Sequence, residues 1–425
     1  PQNGTAQTSQ RFDMDGADKA RPDDDREKVA LAHAIFFPLP DLSCSATLAE
    51  PHAYGHPMAH ATHRVQLDTL RFLAFLMVFL FHLEEKKFAY GILGVPLFFV
   101  ISGFLITRLL VLHESSSLSR DLWIFYLRRT LRIFPLYYVT LFVLLWLGML
   151  SRPLWYFLYL KNVDFFLTNE WSRTVHFWSL CVEEQFYLLF PLAFWLWPRS
   201  GRFYLLVFLM LGSWLFQWVM DSLAAANPGV EWRAHLLLPY AGEYLLWGCL
   251  AGWYDATRSP QRVPALWMIV LGTLLHLLAA VDEFQGRRLV AMGFQGIYPT
   301  LHGIGFALLV FGVWHLPAGG IRSLFSIGPI IYLGKISYGL YVFHNFLYGT
   351  RAALIPYVPL IERVPGAVVA FAATVALAMV SWHLMEEPLL RLKRWAPYPD
   401  DTIPTVPPPP PQPEPLESME QTRPA

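Results

Sequence analysis

Arg71 and His82 are ionisable residues within one apolar stretch, VQLDTLRFLAFLMVFLFHL, and their spacing could support catalysis. At about 100° per residue, the eleven steps between them bring both side chains to within roughly 20° of one helix face, and roughly 16 Å apart along it. Arginine binds anions, and histidine transfers protons near neutral pH. Polar groups inside a membrane span are costly, so the aligned pair is a candidate site; the alternative is a snorkelling arginine and a histidine at a helix end.

A second apolar stretch, HFWSLCVEEQFYLLFPL, also carries polar residues at helical spacing. They share one face because they step by three or four residues, and they are His176, Ser179, Glu183 and Tyr187. A bare glutamate in hydrocarbon is costly, so we expect Glu183 to pair with a proton donor. Glu184 points to another side of the helix and is interpreted as structural. Tyr187 is equally well explained as a membrane-buried ring.

A third histidine, His344, lies in the stretch ISYGLYVFHNF. The predicted topology brings it to the same depth as His82 and His176, on a third helix. The sequence therefore predicts three histidines that converge from separate helices. Three imidazoles could bind zinc, but this spacing is not specific for a metal, and we predict no metal site.

Arginines cluster in FYLRRTLRIFPLYY, which we predict to be a loop leading into a membrane span. Arg129 and Arg132 are three residues apart, and Arg128 stands beside them. Arginines next to a membrane often meet anionic lipid headgroups. Their planar guanidinium groups equally suit the recognition of phosphates. The residues alone leave both interpretations open.

The composition places these motifs in an integral membrane protein. Hydrophobic residues make up 55% of the 425 residues and charged residues 15%, whereas soluble domains carry about 25% charged residues. Many runs approach the roughly 20 apolar residues that a spanning helix needs. We therefore predict an all-α integral membrane protein with about ten transmembrane helices in one bundle. The spans are placed near 67–83, 91–112, 133–150, 178–198, 203–220, 235–254, 264–280, 299–315, 334–350 and 366–386.

Lysines and arginines predict the orientation of the bundle. Basic clusters at 120–132, 199–202 and 391–394 fall on one side of a ten-span path, together with both termini. This side is predicted to face the cytoplasm, in a bacterial inner membrane. The broken apolar piece 154–166 is too short to span and is predicted to be interfacial or re-entrant. A formal net charge of zero gives no sign of nucleic-acid binding.

The two ends of the chain differ from its apolar middle. Residues 1–65 include DMDGADKARPDDDREK and are predicted to be a disordered N-terminal extension, with Met58 as an alternative start. Residues 66–395 form the predicted membrane domain. Residues 396–425 include PTVPPPPPQPEP and are predicted to be a disordered Pro-rich tail.

Six segments, in this order, resemble the bacterial membrane-bound acyltransferase family three. They are LDTLRFLAFLMVFLFH, GVPLFFVISGFLITRLL, FYLRRTLRIFPLYY, HFWSLCVEEQFYLLFPL, ISYGLYVFHNFL and MEEPLLRLKR. The family includes O-acetyltransferases that act on lipopolysaccharide, exopolysaccharide and nodulation factor. The resemblance covers residues 67–395, and it implies transfer of an acyl group, acetyl foremost, from acyl-CoA to a carbohydrate hydroxyl. Acyl-CoA would be a cytoplasmic co-substrate, with no bound cofactor; the partners would be membrane lipid and a carbohydrate, free or lipid-linked.

The family motifs fall on the residues singled out above. An Arg, ten residues and a His match Arg71 and His82, and a basic Arg-x-x-Arg motif matches Arg129 and Arg132. A Trp-Ser-Leu-x-x-Glu-Glu motif matches residues 178–184. The sequence departs from the family pattern at positions where glycines, a carboxylate and a basic residue are common, which here are Thr69, Phe72, Pro96 and Glu387.

The resemblance then implies a mechanism of general-base catalysis. His82 is expected to take the proton of the acceptor hydroxyl, and Glu183 to orient His82 or His176, or to hold the sugar. The donor-binding residues are expected to be Arg71, Arg129 and Arg132. Acceptor-binding or supporting roles are expected for His176, Ser179, Tyr187 and His344. A covalent acyl group on Ser179 is a less favoured route.

The alternative function is a multi-span transporter or a flippase for a lipid-linked sugar. Such a protein would also have many spans and intramembrane charges. The hydropathy pattern shows neither an inverted repeat nor a pair of broken helices at matching positions, which are common in transporters. The enzyme interpretation is therefore preferred.

Overall fold

The computed structural model describes residues 64–398, apart from 225, 228, 259, 261–262 and 286–295. Nearly all of the two predicted disordered ends lies outside these residues. The described part is helical and contains no β-strand. Its α-helices are α1 (Val65–Leu83), α2 (Gly94–Leu112), α3 (Leu118–Trp146), α4 (Pro153–Phe157), α5 (Lys161–Thr168), α6 (Phe177–Leu196), α7 (Arg202–Ala224), α8 (Val230–Ala234), α9 (Leu238–Arg258), α10 (Ala265–Gln285), α11 (Ile297–Trp314), α12 (Gly320–Leu324), α13 (Gly328–Lys335), α14 (Ser337–Phe343), α15 (Thr350–Leu354), α16 (Gly366–Ser381) and α17 (Glu387–Leu390).

Seven helices of the described chain are long and apolar enough to cross a membrane. They are α1, α2, α3, α7, α10, α11 and α16, some extended by adjoining helical turns. The predicted all-α membrane fold is thus confirmed, but the predicted count of about ten spans is not. Two further predicted spans are continuous helices, α6 and α9, of 20 and 21 residues. Both carry buried or half-buried carboxylates, which lower their hydropathy.

The predicted span at 334–350 is not one helix. Helix α13 ends at Lys335, and α14 begins at Ser337 and passes into a short 3₁₀ turn, His344–Phe346. The chain is closely packed at this break. A Cβ atom on Gly334 would overlap the backbone of Asp68 in α1. A discontinuous helix inside a membrane bundle leaves polar backbone groups where other helices or a cavity can meet them.

Helix α3 begins well before the predicted span at 133–150. It starts at Leu118, so the segment FYLRRTLRIFPLYY is helical, and the prediction of a loop there was wrong. Ser115 precedes the helix, and its backbone N–H and hydroxyl group both donate to Asp121 in the first turn, at 2.8 and 2.6 Å. The arginines therefore project from a rigid helix rather than from a flexible connection.

Helices α2 and α9 pack backbone to backbone through glycines. A Cβ atom on Gly103 would overlap the carbonyl oxygen of Leu245, and one on Gly248 would overlap that of Val100. Small residues at helix interfaces allow this close approach in membrane proteins, where dispersion contacts rather than the hydrophobic effect hold helices together. The result is a fixed position for α2, which carries one wall of the candidate site.

The last described helix contains a π-helical turn. Residues Trp382–Glu386 form this turn between α16 and α17, and a 3₁₀ segment, Arg391–Trp395, follows. Trp382 and Glu386 are buried, and π-turns within helices often occur at functional sites. The described chain continues to Tyr398, which is buried beside Ile124 of α3. Three residues of the predicted tail therefore pack on the bundle.

Candidate active site

A large basic chamber of about 600 Å³ lies between α1, α3, α13 and the C-terminal segment. Its charged lining is mostly cationic. The cations are Arg71, Arg128, Arg129, Arg132, Lys335, Arg391 and Lys393. Two carboxylates, Asp68 and Glu387, also line it, together with the aromatic rings of Phe125, Trp382 and Tyr398. Such a surplus of positive charge around a concave volume favours a polyanionic ligand.

A narrow cavity of about 90 Å³ shares three lining residues with the basic chamber, namely Arg71, Arg129 and Arg132. The predicted donor-binding residues therefore stand together where the two spaces adjoin. Sequence left open whether Arg129 and Arg132 meet lipid headgroups or a phosphate ligand. Their position on both cavities favours the ligand interpretation.

Arg71 and Arg129 are held by their neighbours. The Nη1 of Arg71 donates to Asp68, one helical turn earlier, at 2.8 Å. The Arg129 guanidinium lies above the Tyr187 ring, 5.0 Å from its centroid, and 5.8 Å from that of Phe125. Orientation by an ion pair and by aromatic faces reduces the entropy that an arginine loses on binding an anion.

Glu183 lies in the narrow cavity and accepts a hydrogen bond from Ser102 of α2 at 2.8 Å. The Tyr187 hydroxyl donates to the same Ser102 Oγ at 3.1 Å. Tyr187 is therefore part of a polar chain and not only a buried ring. Within the described residues, Glu183 makes no hydrogen bond to His82 or His176. The expectation that it orients a histidine is not met by direct contact.

Glu184 also lines the narrow cavity, although the sequence interpretation was structural. Its Oε1 atom is buried and has no hydrogen-bond partner. A buried polar atom without a partner costs free energy, so it invites a donor from water or from a ligand.

The three predicted histidines do converge. The ring centroids of His82 and His344 are 5.1 Å apart, and those of His176 and His344 are 4.9 Å apart. We call these residues the histidine cluster. In the described part of the chain, no group of three or more His, Cys, Asp or Glu side chains is arranged to hold a metal ion.

Backbone carbonyls fix the hydrogen positions of all three rings. The Nδ1 of His82 lies 3.1 Å from the Val78 oxygen, and the Nε2 of His176 lies 3.1 Å from the Val342 oxygen. His344 Nδ1 lies 2.6 Å from the Tyr341 oxygen.

A carbonyl oxygen only accepts, so each of these nitrogens carries a hydrogen. The second nitrogen of each neutral ring therefore presents a lone pair. His176 Nδ1 and His344 Nε2 are buried without a partner, whereas His82 is only half-buried. The cluster is thus equipped to accept hydrogen bonds from a hydroxyl donor.

Tyr341 and Ser179 connect the histidine cluster to the narrow cavity, which both residues line. The Tyr341 ring centroid lies 5.4 Å from that of His344 and 5.8 Å from that of His176. Ser179 lies on α6, three residues after His176. The basic chamber, the narrow cavity and the histidine cluster are therefore neighbours in one site, with three arginines shared by the first two and with Tyr341 and Ser179 between the last two.

Sequence reasoning missed several residues of this site. Ser102 was one serine in a span with little polar signal, and only the fold brings it to Glu183. Tyr341 carries a weak signal, because it precedes His344 by three residues and so shares its helix face. The aromatic and cationic chamber residues on the C-terminal segment owe their positions to the π-turn. The hydrophobic pattern does not reveal this turn.

Curated relatives of the chain are bacterial O-acetyltransferases. A peptidoglycan O-acetyltransferase, OatA, from Listeria monocytogenes is 28% identical over 76% of this chain and 55% of its own length. A putative peptidoglycan O-acetyltransferase, YrhL, from Bacillus subtilis is 27% identical over 79% of this chain and 56% of its own. The O-acetyltransferase OatA of Staphylococcus aureus is 26% identical over 76% of this chain and 56% of its own length. The chain spans about half the length of these relatives, and no solved structure matches it.

A family model described as an acyltransferase domain matches residues 64–383. This range contains every candidate site residue predicted from the sequence. It covers the helices that build the narrow cavity and the histidine cluster. By this match, the chain belongs to the membrane-bound acyltransferase family three.

Proposed function

We propose that this chain is an integral membrane O-acyltransferase that moves an acetyl group from acetyl-CoA to a carbohydrate hydroxyl. One observation carries the proposal. Three arginines line both the basic chamber and the narrow cavity. Three histidines with free lone pairs lie next to the narrow cavity. Residues that can bind an anion and residues that can accept a proton thus lie at opposite ends of one site, as acyl transfer from a phosphorylated donor requires.

The donor occupies the chamber with its nucleotide part. Arg71, Arg129 and Arg132 contact its phosphates by charge-assisted hydrogen bonds. Lys335 and Lys393, on other elements of the chamber, extend the positive surface toward a third phosphate. The much smaller cavity then receives the thioester end, whose acyl group points toward Tyr341 and the histidine cluster.

His82 acts as the general base. Its Nδ1–H is held by the Val78 carbonyl, so Nε2 is the atom that takes the acceptor's proton. The hydroxyl oxygen attacks the thioester carbonyl carbon, a C–O bond forms and the C–S bond breaks. The CoA thiolate leaves and recovers the proton. His344 and His176 surround the acceptor hydroxyl, and Glu183 with Ser102 and Tyr187 supports the thioester end.

The distribution of basic residues supports the proposed membrane setting. The chamber is proposed to open to the cytoplasm, where acyl-CoA is available, and the histidine cluster to face the outer half of a bacterial inner membrane. Relatives named as peptidoglycan O-acetyltransferases support a cell-envelope carbohydrate as acceptor. Lipopolysaccharide or a lipid-linked sugar presents the same chemistry, a hydroxyl on a saccharide.

Purified protein in lipid nanodiscs, incubated with acetyl-CoA labelled in the acetyl group and a panel of envelope glycans, tests the proposal. We expect label in a glycan with wild type and labelling at least about 100-fold slower with His82→Ala. His235→Ala, which changes an exposed histidine outside both cavities, is the matched control. Movement of an unmodified lipid-linked sugar between leaflets, without label transfer, would instead support a flippase and overturn the proposal.

A further inference from the structure

The narrow cavity is too small for more than the end of a donor. It holds about 90 Å³, against about 600 Å³ for the chamber beside it. Pockets that enclose a drug-sized ligand hold roughly 300–1,000 Å³, so a cavity of about 90 Å³ suits only a short acyl group. An acetyl group has three heavy atoms, and each further methylene has to be placed against the cavity wall.

That wall is apolar along one side. Its residues are Val95, Phe98 and Phe99 of α2 and Leu180 of α6. The polar lining lies elsewhere, on the arginines, the two glutamates and the hydroxyl groups. An acyl chain that grew beyond two or three carbons would therefore run into packed hydrocarbon rather than into open space.

The aromatic part of the wall is locked in place. The Phe99 ring meets Trp178 edge to face, with centroids 6.0 Å apart, and Phe98 meets Tyr341 in the same way at 5.9 Å. Phe99 is 1% exposed, and close-packed interiors yield little to an extra methylene.

Helix α2 itself cannot move aside. A Cβ atom on Gly94 would overlap the carbonyl oxygen of Ala74 in α1, and one on Gly103 would overlap that of Leu245 in α9. The helix is in direct backbone contact with its neighbours both before and after the aromatic wall. Its rings therefore define a fixed dimension of the cavity.

We propose that Phe98, Phe99 and Leu180 set the acyl specificity of the transferase by excluding groups longer than propionyl. This inference rests on the proposed function, because it takes the narrow cavity as the place of the thioester. It assigns substrate selection to the apolar wall and not to the histidine cluster.

The experiment compares acetyl-, propionyl-, butyryl- and hexanoyl-CoA with one glycan acceptor. In wild type, kcat/KM should fall at least about tenfold from acetyl to butyryl, because one methylene in an apolar pocket is worth about 10–200-fold. Phe98→Ala should raise the butyryl-to-acetyl ratio of kcat/KM at least about tenfold. Leu180→Ala opens the same wall from α6 and should act in the same direction, so the test does not depend on one variant folding.

Leu105→Ala is the matched control, since it removes a half-buried side chain two turns along α2 that lines neither cavity. It should leave the ratio unchanged. Equal transfer of acetyl and hexanoyl by wild type, or an unchanged ratio in both wall variants, would overturn the inference while leaving the transferase itself in place. Absence of transfer from every acyl-CoA would instead contradict the proposed function.

Discussion

The Tyr341 hydroxyl lies 2.6 Å from the Ser179 Oγ, and both hydroxyl groups reach the carbonyl oxygen of His176, at 3.1 and 3.0 Å. Two hydroxyl protons therefore serve three close contacts. The pair lines the narrow cavity and adjoins the histidine cluster. In the proposed reaction the acyl group passes this pair on its way from the donor to the acceptor, so the pair is a sensitive place to test the mechanism.

Tyr341→Phe and Ser179→Ala each remove one hydroxyl group from this pair. If transfer is direct, we expect a loss of kcat of about tenfold in each, as the net worth of a hydrogen bond near 1–1.5 kcal/mol implies, with little change in donor KM. Steady-state kinetics in detergent measures both. A labelled acyl-protein in wild type that disappears in Ser179→Ala, together with complete loss of turnover, would show that an acyl-serine intermediate carries the reaction.

His82→Ala and Arg71→Ala should affect different kinetic constants. Loss of a general base costs about 10²–10⁴ in rate, so His82→Ala should lower kcat and leave donor binding nearly intact. Loss of a charge-assisted contact costs about 1.5–3 kcal/mol, so Arg71→Ala should mainly raise the donor KM. Near wild-type turnover in His82→Ala would exclude this residue as the base, and His344 or His176 would then be tested in the same assay.

Arg129→Ala with Arg132→Ala should raise the apparent KM for acetyl-CoA without raising that for the acceptor. The reason is their position at the junction of the chamber and the narrow cavity. Arg120→Ala is the control, because Arg120 lies on the same helix but is exposed and lines neither cavity. A change in acceptor KM alone, or equal effects of Arg120→Ala, would argue for lipid contacts instead.

Asp164 forms a buried ion pair outside the site that should make the fold acid-sensitive. Lys161 Nζ and Arg152 Nη1 each lie 2.5 Å from one of its oxygens. Burial favours the neutral carboxyl group, but the hydrogen bonds and charges of Lys161 and Arg152 outweigh it and hold the pKa of Asp164 below its usual range. A lowered folded-state pKa means that the pair stabilises the fold above the unfolded-state pKa, about 3.9. This stability is lost as the pH falls through the lower pKa of the folded state.

Asp164→Asn should therefore lower the free energy of unfolding near pH 7 by about 3–5 kcal/mol, because it leaves the Lys161 charge buried and unpaired. Its deficit relative to wild type should shrink as the pH falls from about 4 through the lower folded-state pKa of Asp164, where the wild-type carboxylate also becomes protonated. Thermal unfolding of the detergent-solubilised protein at several pH values measures this. Glu170→Gln, which changes an exposed carboxylate nearby, is expected to behave like wild type throughout.

Removal of residues 1–57 and 399–425 should leave acyl transfer largely unchanged, since their composition cannot bury a core. A cut before Ala396 should be more harmful. Arg128 donates to the Ala396 carbonyl at 3.0 Å and lies over the Tyr398 ring, which also stacks on His113. Donor KM and thermal stability of the two truncations separate these cases, and equal behaviour of both would contradict a role for residues 396–398.

The sequence predicted those parts of the site that depend on helical periodicity. Arg71 and His82 lie on one continuous helix, as their spacing indicated, and the three histidines meet because each lies within or at one end of a helix of predictable direction. Glu183 and Tyr187 share a face for the same reason.

Contacts between helices were beyond such reasoning. The break after Lys335 accompanies the fit of Gly334 against the backbone of α1, which no local pattern reports. Ser102 becomes a partner of Glu183 only because glycines bring α2 deep into the bundle. The helical form of the Arg129 segment was missed because its charges masked the apolar period.

The π-turn at Trp382–Glu386 makes the C-terminal segment unequally tolerant of changes of length at different positions. Such a turn accommodates one residue more than an α-helical turn, so the chain behaves there as if it had accepted a single insertion. Deleting one residue within the turn would restore the α-helix and leave the downstream residues facing nearly the same way, whereas deleting one residue from α17 would rotate everything after it by about 100°. Arg391 and Lys393 would then leave the chamber without any change in their identity. A shift in helical register here would damage the basic chamber as much as the loss of the charges themselves.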